Sequence, residues 1–205
     1  DRQIVAAVQS GALDESLLDK AVENILNVTM DWLKDRCPDA VFDRDADHAR
    51  AVACAAECAV LLENRGVLPL ASDLKVAYIG EFAQKPRFQG GGSSHIHCSK
   101  VTSALESARA KGRNVRYVKA FPADADVADE AKLAASVAAA VEAAADADVA
   151  VIFAGLPDVI ESEGYDRKDM KMPACQCRVI EAVSKVQPNT VVVLHNGSPV
   201  EAPWA

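Results

Sequence analysis

The stretch Val149-Ala150-Val151-Ile152-Phe153-Ala154 decides the fold class of this chain. Six consecutive apolar residues indicate a short strand that is buried on both faces. An Ala-rich segment with a helical apolar face, residues 125–146, leads into it. Three similar apolar runs occur elsewhere in the chain, at Val76–Ile79, Val115–Val118 and 191–194.

Helical patterns separate these predicted strands. Further helices are predicted over residues 46–64, 100–111 and 173–186. Short buried strands that alternate with helices are typical of a parallel sheet that is covered on both faces. The sequence therefore predicts an α/β fold with a mostly parallel sheet, built as a three-layer α/β/α sandwich.

The front of the chain has a different pattern and predicts a pair of helices. Apolar residues recur at helical spacing over 14–30, where Asp14 is placed to cap the helix start. A shorter apolar run, residues 4–8, stops at Ser10-Gly11. Residues 35–46 are polar and rich in aspartate, so we interpret them as a linker.

Composition excludes several classes of function. The chain has 205 residues, and 22 Lys+Arg against 30 Asp+Glu give a formal net charge of −8. This acidic balance argues against a nucleic-acid partner, because phosphate contacts need a basic face. No stretch approaches the roughly 20 apolar residues that span a bilayer, so no membrane partner is expected.

The cysteine pattern gives no indication of a metal site. The chain has six cysteines, and their spacings do not form the paired sets of a zinc site. We expect reduced thiols and neither a metal nor a cofactor. Reduced thiols favour a cytoplasmic location slightly, while the compartment itself stays open.

Three loops follow predicted strands, at 80–98, 155–172 and 195–203, where ligands tend to bind in parallel sheets. The first contains Arg87-Phe88-Gln89-Gly90-Gly91-Gly92-Ser93-Ser94-His95. Three consecutive glycines allow the backbone to approach a neighbour or a ligand closely. A tight structural turn and a ligand loop, such as a phosphate cradle, both remain open at this point.

The second loop concentrates carboxylates, with Glu161, Glu163 and Asp166 within six positions. Their repulsion is expected to raise the pKa of at least one of them, while Arg167 pairs with Asp166. A glutamate with a raised pKa suits a general acid, and a solvated acidic loop is the alternative. In the third loop, His195 is interpreted as a hydrogen-bonded structural residue.

Taken in order, four blocks of this sequence resemble the α/β-sandwich domain of the family 3 glycoside hydrolases. The matching blocks are residues 59–70, 87–94, 161–167 with Met172-Pro173, and 196–200 with Pro203-Trp204. The order and spacing of four blocks are more specific than any block alone. Residues 1–34 resemble the helical end of the family's N-terminal (β/α) barrel, which leaves 47–205 as the sandwich domain.

The resemblance implies a retaining exo-acting β-glycosidase of the β-glucosidase or β-xylosidase type, with its active site between barrel and sandwich. It implies Glu163, directly before Gly164-Tyr165-Asp166-Arg167, as the general acid/base, with Glu161 as the alternative. Its pKa must be raised so that it is protonated when it acts as the acid, and in the second step it acts as a base on water. The residues implied for substrate binding or the pocket rim are Arg87, Gln89, Gly90, Gly91, Gly92, Ser93, Ser94, Tyr165, Asp166 and Arg167.

The family's nucleophile motif is missing, and Met30-Asp31-Trp32 is rejected as a substitute because it ends an amphipathic helix. We therefore expect an incomplete sandwich, truncated at its C-terminal end, that does not hydrolyse glycosides alone and in which Glu163 titrates near its ordinary pKa. Exposed apolar surface and a free sheet edge predict self-association. Two alternatives remain: a non-catalytic carbohydrate-binding or interaction module, and a flavodoxin-like nucleotide binder at the glycine loop.

Overall fold

Four parallel strands form the sheet of this protein, in a computed structural model that describes residues 1–124, 126 and 129–205. The strands are β1 (Val76–Ile79), β2 (Val115–Val118), β3 (Val149–Gly155) and β4 (Thr190–His195), in the order β2-β1-β3-β4. All three pairings are parallel, and β3 is buried along its whole length. The predicted parallel α/β sheet is therefore confirmed.

The described part of this sheet unit includes the α-helices α4 (Ala104–Ala110), α5 (Glu130–Ala145) and α6 (Ala174–Ser184). Each starts later than its sequence pattern predicted. Helix α4 begins after a capping box of Ser103 and Glu106, and α5 begins where Asp129 accepts a hydrogen bond from the Lys132 N–H at 3.1 Å. Positions 125, 127 and 128 of the predicted Ala-rich helix lie outside the described residues.

The two faces of the sheet have separate cores, because side chains alternate along each strand. Ala77, Ile79 and Ile152 pack with the buried residues of α5 and α6 in one cluster. Val76 and Phe153 belong to a second cluster, which the turn Glu81–Ala83 and the start of α4 cover. This arrangement is the predicted three-layer sandwich.

The chain divides into two compact units, residues 1–62 and 63–205. The first contains α1 (Arg2–Gln9), α2 (Glu15–Asp35) and α3 (Arg44–Glu57), none of which has a buried residue. Helix α2 starts as predicted, with the Asp14 carboxylate accepting from the Ser16 N–H at 2.9 Å. It runs past residue 30 because nothing in the next turn interrupts it before Pro38.

Helix α3 begins at Arg44, inside the predicted linker, because Asp43 caps it through the N–H groups of Asp45 and Ala46. The non-helical stretch between α2 and α3 is therefore residues 36–43, and α3 ends at Glu57 rather than near 64. None of the helices formed by the described residues combines the length and apolar character that crossing a bilayer requires.

A buried carboxylate ties the loops that follow β1 and β2. Glu81 is only 4% exposed, and its side chain accepts from the Ala123 N–H at 3.0 Å. The ammonium groups of Lys85 and Lys119 each lie 3.0 Å from its other oxygen. Burial raises the pKa of Glu81, but these three donors outweigh it and lower the pKa to about 2.

We expect Glu81→Gln to destabilise the protein at neutral pH by on the order of 3 kcal/mol, the value that the lowered pKa corresponds to. Because the folded pKa lies below the unfolded one, this contribution is present above about pH 4.5 and is lost as pH falls toward about 2. Urea denaturation from about pH 7 to about pH 3 measures it.

Glu142→Gln is the matched control, because Glu142 forms an exposed ion pair with Arg116 on the same unit. Its effect should stay below about 1 kcal/mol. If the free energy of unfolding changed with pH equally in Glu81→Gln and the wild type, the ionised Glu81 carboxylate would not be the source of this stability.

Candidate functional site

Three loops meet at the carboxyl edge of the sheet. They follow β1, β3 and β4, and the chain turns to opposite sides of β1 to form β2 and β3. Such a change of direction leaves a crevice between the neighbouring loops, where α/β proteins tend to bind ligands. The loops that the sequence selected, at 80–98, 155–172 and 195–203, share this edge.

Arg87, from the loop after β1, reaches across to the loop after β3. Its Nε donates to the Asp158 carboxylate at 3.0 Å, its Nη1 to the Glu161 carboxylate at 2.5 Å, and its Nη2 to the Glu161 carbonyl at 2.8 Å. The Arg87 side chain is only 11% exposed and that of Glu161 only 17%. All three guanidinium nitrogens therefore face the protein.

Glu161 also receives two donors from the loop after β4. The Gly197 N–H donates to one carboxylate oxygen at 2.9 Å, and the Ser198 hydroxyl donates to the other. Burial raises the pKa of Glu161, but Ser198, Gly197 and Arg87 together outweigh it and lower the pKa. Glu161 is thus an ionised carboxylate that joins three loops.

Glu163, two positions on, has different surroundings. It is exposed, and one carboxylate oxygen accepts from the Ser93 N–H at 2.9 Å and from the Ser93 hydroxyl. These two donors lower its pKa. No ion pair to Glu163 occurs among the residues that the structure describes.

For the two glutamates the expected rise in pKa is therefore wrong. Mutual repulsion of neighbouring carboxylates is overcome because each one has its own donors, in loops that are distant in sequence. The expected near-ordinary pKa of Glu163 is also wrong, since Ser93 lowers it.

The glycine loop packs directly against this acidic loop. A Cβ on Gly92 would lie 2.8 Å from a Glu163 carboxylate oxygen, and one on Gly91 would overlap the Ser162 side chain. Gly92 also has a φ of +84°, which favours glycine. The anionic group that this loop holds is the protein's own Glu163, which argues against a phosphate cradle.

Other predicted rim residues hold the loops in shape. Ser94 Oγ donates to the carbonyls of Gly90 and Gly91, at 3.1 and 3.3 Å. The Gln89 amide exchanges two hydrogen bonds with the Ile96 backbone, at 3.0 and 3.3 Å. Gln89, Gly90 and Ser94 therefore stabilise the first loop from within.

The predicted pair of Asp166 and Arg167 is not formed within the described part of the chain. Arg167 Nη2 instead donates to the Pro199 carbonyl at 2.6 Å, which joins the second loop to the third. Asp166 is exposed. Tyr165 turns toward its own loop, where its hydroxyl donates to the Asp158 carbonyl.

His195 is a structural residue, as the sequence suggested. Its ring stacks on Phe82 with centroids 5.2 Å apart, and Nδ1 lies 3.3 Å from the Ala154 carbonyl oxygen. Burial lowers its pKa, so the ring is neutral near pH 7. Asp158 and Ser198 also hold these loops, but no charged cluster or catalytic motif in the sequence singles out either residue.

An open cavity of about 470 Å³ lies over these loops and is lined by residues that include Arg87, Phe88, Glu161, Glu163 and Asn196. Its size is within the range of small-molecule sites. A second cavity, of about 440 Å³, is lined by Glu161, Tyr165–Met170 and Ser198 among others. Among residues 1–124, 126 and 129–205, no cluster of His, Cys, Asp and Glu is placed to hold a metal ion.

Known proteins resemble this chain in both sequence and fold. Residues 59–205 match the model of the glycosyl hydrolase family 3 C-terminal domain. The whole chain is 47% identical to part of the thermostable β-glucosidase B of Acetivibrio thermocellus and 40% identical to part of an exo-α-(1→6)-L-arabinopyranosidase of Bifidobacterium longum. It spans only 27% and 28% of these two relatives.

Solved structures agree with the sequence match. The family 3 β-glucosidase of Bifidobacterium adolescentis superposes with a TM-score of 0.90 at 40% identity, over 99% of this chain and 30% of that one. β-Glucosidase 3B of Thermotoga neapolitana in complex with glucose has a TM-score of 0.74 at 26% identity, over 98% and 31%.

We expect Ser93→Ala to raise the pKa of Glu163 toward its ordinary value, because the variant loses the hydroxyl donor and keeps the N–H. An NMR titration of side-chain carboxyl groups measures this pKa. Ser94→Ala is the matched control, since the Ser94 hydroxyl donates to the carbonyls of Gly90 and Gly91, and it should leave the pKa of Glu163 unchanged. Equal titration curves for wild type and Ser93→Ala would contradict the contact.

Gly92→Ala should lower the free energy of unfolding by at least about 1 kcal/mol more than Gly112→Ala. Both glycines have positive φ, but a Cβ on Gly112 meets nothing within 4 Å, whereas one on Gly92 meets Glu163. Urea denaturation compares the two variants. Equal destabilisation would show that the glycine loop does not pack against Glu163.

Proposed function

Since this chain belongs to glycoside hydrolase family 3, we propose that it supplies the general acid/base, Glu163, of a retaining exo-acting β-glycosidase of the β-glucosidase or β-xylosidase type. The observation that carries the proposal is the contrast between two nearby glutamates. Glu163 is exposed beside an open cavity and, among the described residues, accepts hydrogen bonds from Ser93 alone, whereas Glu161 is paired with a guanidinium.

Glu161 is unsuited to proton transfer for a physical reason. Protonating it would break its largely buried ion pair with Arg87, which costs free energy even though Asp158 stays paired with the same guanidinium. Its remaining oxygen is also occupied, by the Ser198 hydroxyl. Among the described residues Glu163 has no ion pair, so it can bind and release a proton without breaking one.

In a retaining mechanism Glu163 acts twice. It first protonates the leaving glycosidic oxygen while a carboxylate nucleophile about 5–5.5 Å away attacks the anomeric carbon. It then takes a proton from the water that hydrolyses the glycosyl-enzyme. Ser93 stabilises the ionised form, which the second step requires, while the nearby nucleophile and exclusion of water would raise the pKa for the first step.

We propose that a (β/α) barrel domain supplies the nucleophile and most sugar contacts, so that residues 1–205 alone do not hydrolyse glycosides. The small share of each relative that the chain spans supports this. The relatives that match its full length are named for different sugars, which supports selection of the sugar in the barrel.

We further propose that residues 1–34 end that barrel, that 35–46 link the domains and that 47–205 form the sandwich. The division into two compact units supports two bodies, although the sheet unit itself starts at residue 63. Apolar side chains on α2, such as Ile25 and Trp32, are more than half exposed, which supports self-association of the isolated chain.

The test is Glu163→Ala in the enzyme with its barrel domain. On an unactivated glycoside we expect a loss in kcat/KM of about 10²–10⁴-fold, because the leaving group is no longer protonated. On an activated aryl glycoside the glycosyl-enzyme should form but hydrolyse slowly. Azide should restore turnover and give a β-glycosyl azide, because it needs no general base.

Glu142→Ala, on the exposed face of α5, is the control and should leave both activities unchanged. Near-normal turnover of Glu163→Ala on activated and unactivated substrates alike would refute the assignment. An α-glycosyl azide would refute retention.

A further inference from the structure

A small hairpin carries Glu163. Ser162 and Tyr165 form an isolated antiparallel bridge, so that Glu163 and Gly164 make up its tip. Gly164 has a φ of +94°, which a tight two-residue turn requires. Movement at the base of such a hairpin is transmitted directly to the carboxylate at its tip.

The base of the hairpin is held by ion pairs of Arg87, whose side chain is largely shielded from solvent. Arg87 binds Glu161 through both the carboxylate and the carbonyl, and it binds Asp158 through Nε. The Tyr165 hydroxyl donates to the Asp158 carbonyl, which closes the other arm of the hairpin onto the same segment. The contacts of Arg87 therefore anchor both arms.

The same base is tied to the third loop. Glu161 accepts from the Gly197 N–H and the Ser198 hydroxyl, so its carboxylate joins loops that follow β1, β3 and β4. Each of the three guanidinium nitrogens of Arg87 already donates a hydrogen bond within the protein, which favours a structural role over sugar binding. Arg87 therefore lines the cavity, as the resemblance implied, while the hydrogen bonds of its guanidinium hold the loops.

We propose that Arg87 and Glu161 are positioning residues that fix the Glu163 hairpin for proton transfer, an inference that rests on the function proposed above for Glu163. Positioning needs a rigid two-point contact, which the planar guanidinium provides and a lysine ammonium does not. Displacement of a catalytic group by about 1 Å is enough to lose about 10² in rate.

The experiment compares Arg87→Lys and Glu161→Gln in the enzyme with its barrel domain, over a series of glycosides whose leaving groups differ in pKa. We expect kcat/KM to fall by about 10²-fold for a poor leaving group and by less than about threefold for an activated aryl group. The double variant should lose no more than the worse single variant, because the two residues act as one unit.

A loss that is equal for all leaving groups, or one that appears only in KM, would overturn the positioning role, since it would indicate general destabilisation or direct sugar binding. Arg116→Lys, in the exposed pair with Glu142, is the matched control and should change nothing. Glu161→Gln preserves the side-chain shape and leaves Asp158 paired with Arg87, so it keeps the proposal testable if Arg87→Lys does not fold.

Glu163→Ala in the same series separates the two proposals. If Glu163→Ala shows the leaving-group dependence and neither Arg87→Lys nor Glu161→Gln does, the acid/base assignment stands and the positioning role is overturned. If Glu163→Ala shows no such dependence, the acid/base assignment falls, and the positioning role falls with it.

Discussion

The pairing of β3 with β1 on one side and β4 on the other is the constraint on which the rest of this structure depends. All three strands run in the same direction, so the loops that follow them emerge at one edge. Because β3 is buried on both faces, its register is fixed: a shift of one residue would move the side chains of each core to the opposite face of the sheet. Residues that are about 70 positions apart thereby come within hydrogen-bond distance.

Electrostatics then gives two similar glutamates different properties. Glu161 is enclosed between Arg87 and the third loop, whose donors favour its ionised form. Glu163 lies at the surface, where the N–H and the hydroxyl of Ser93 donate to its carboxylate. A strongly paired carboxylate suits a structural role, while a weakly held one beside a cavity can exchange a proton. This difference is the basis for the roles that we propose, with Glu161 as a positioning residue and Glu163 as the general acid/base.

The glycine loop shows how backbone and charge combine at this site. Gly91 and Gly92 are small enough to bring the Ser93 N–H to the Glu163 carboxylate, and the hydroxyl of Ser93 adds a second donor. A loop of this composition resembles an anion-binding loop because it is one, but its anion is a side chain of the same chain. Its preference for the ionised glutamate supports the base role in the second step of the proposed mechanism.

The sequence by itself determined the fold class and the positions of the four strands, because a run such as 149–154 has one stable environment, the middle of a covered sheet. It also located the loops that carry Glu161, Glu163 and Arg87. Helix starts were less accurate, since capping by Ser103 or Asp129 depends on local geometry. Only the tertiary structure decided that Arg87 faces Glu161, that Ser93 lowers the pKa of Glu163 and that Arg167 binds the Pro199 carbonyl. Those contacts join loops that are distant in the chain, and no local pattern encodes which donor a carboxylate meets across a sheet edge.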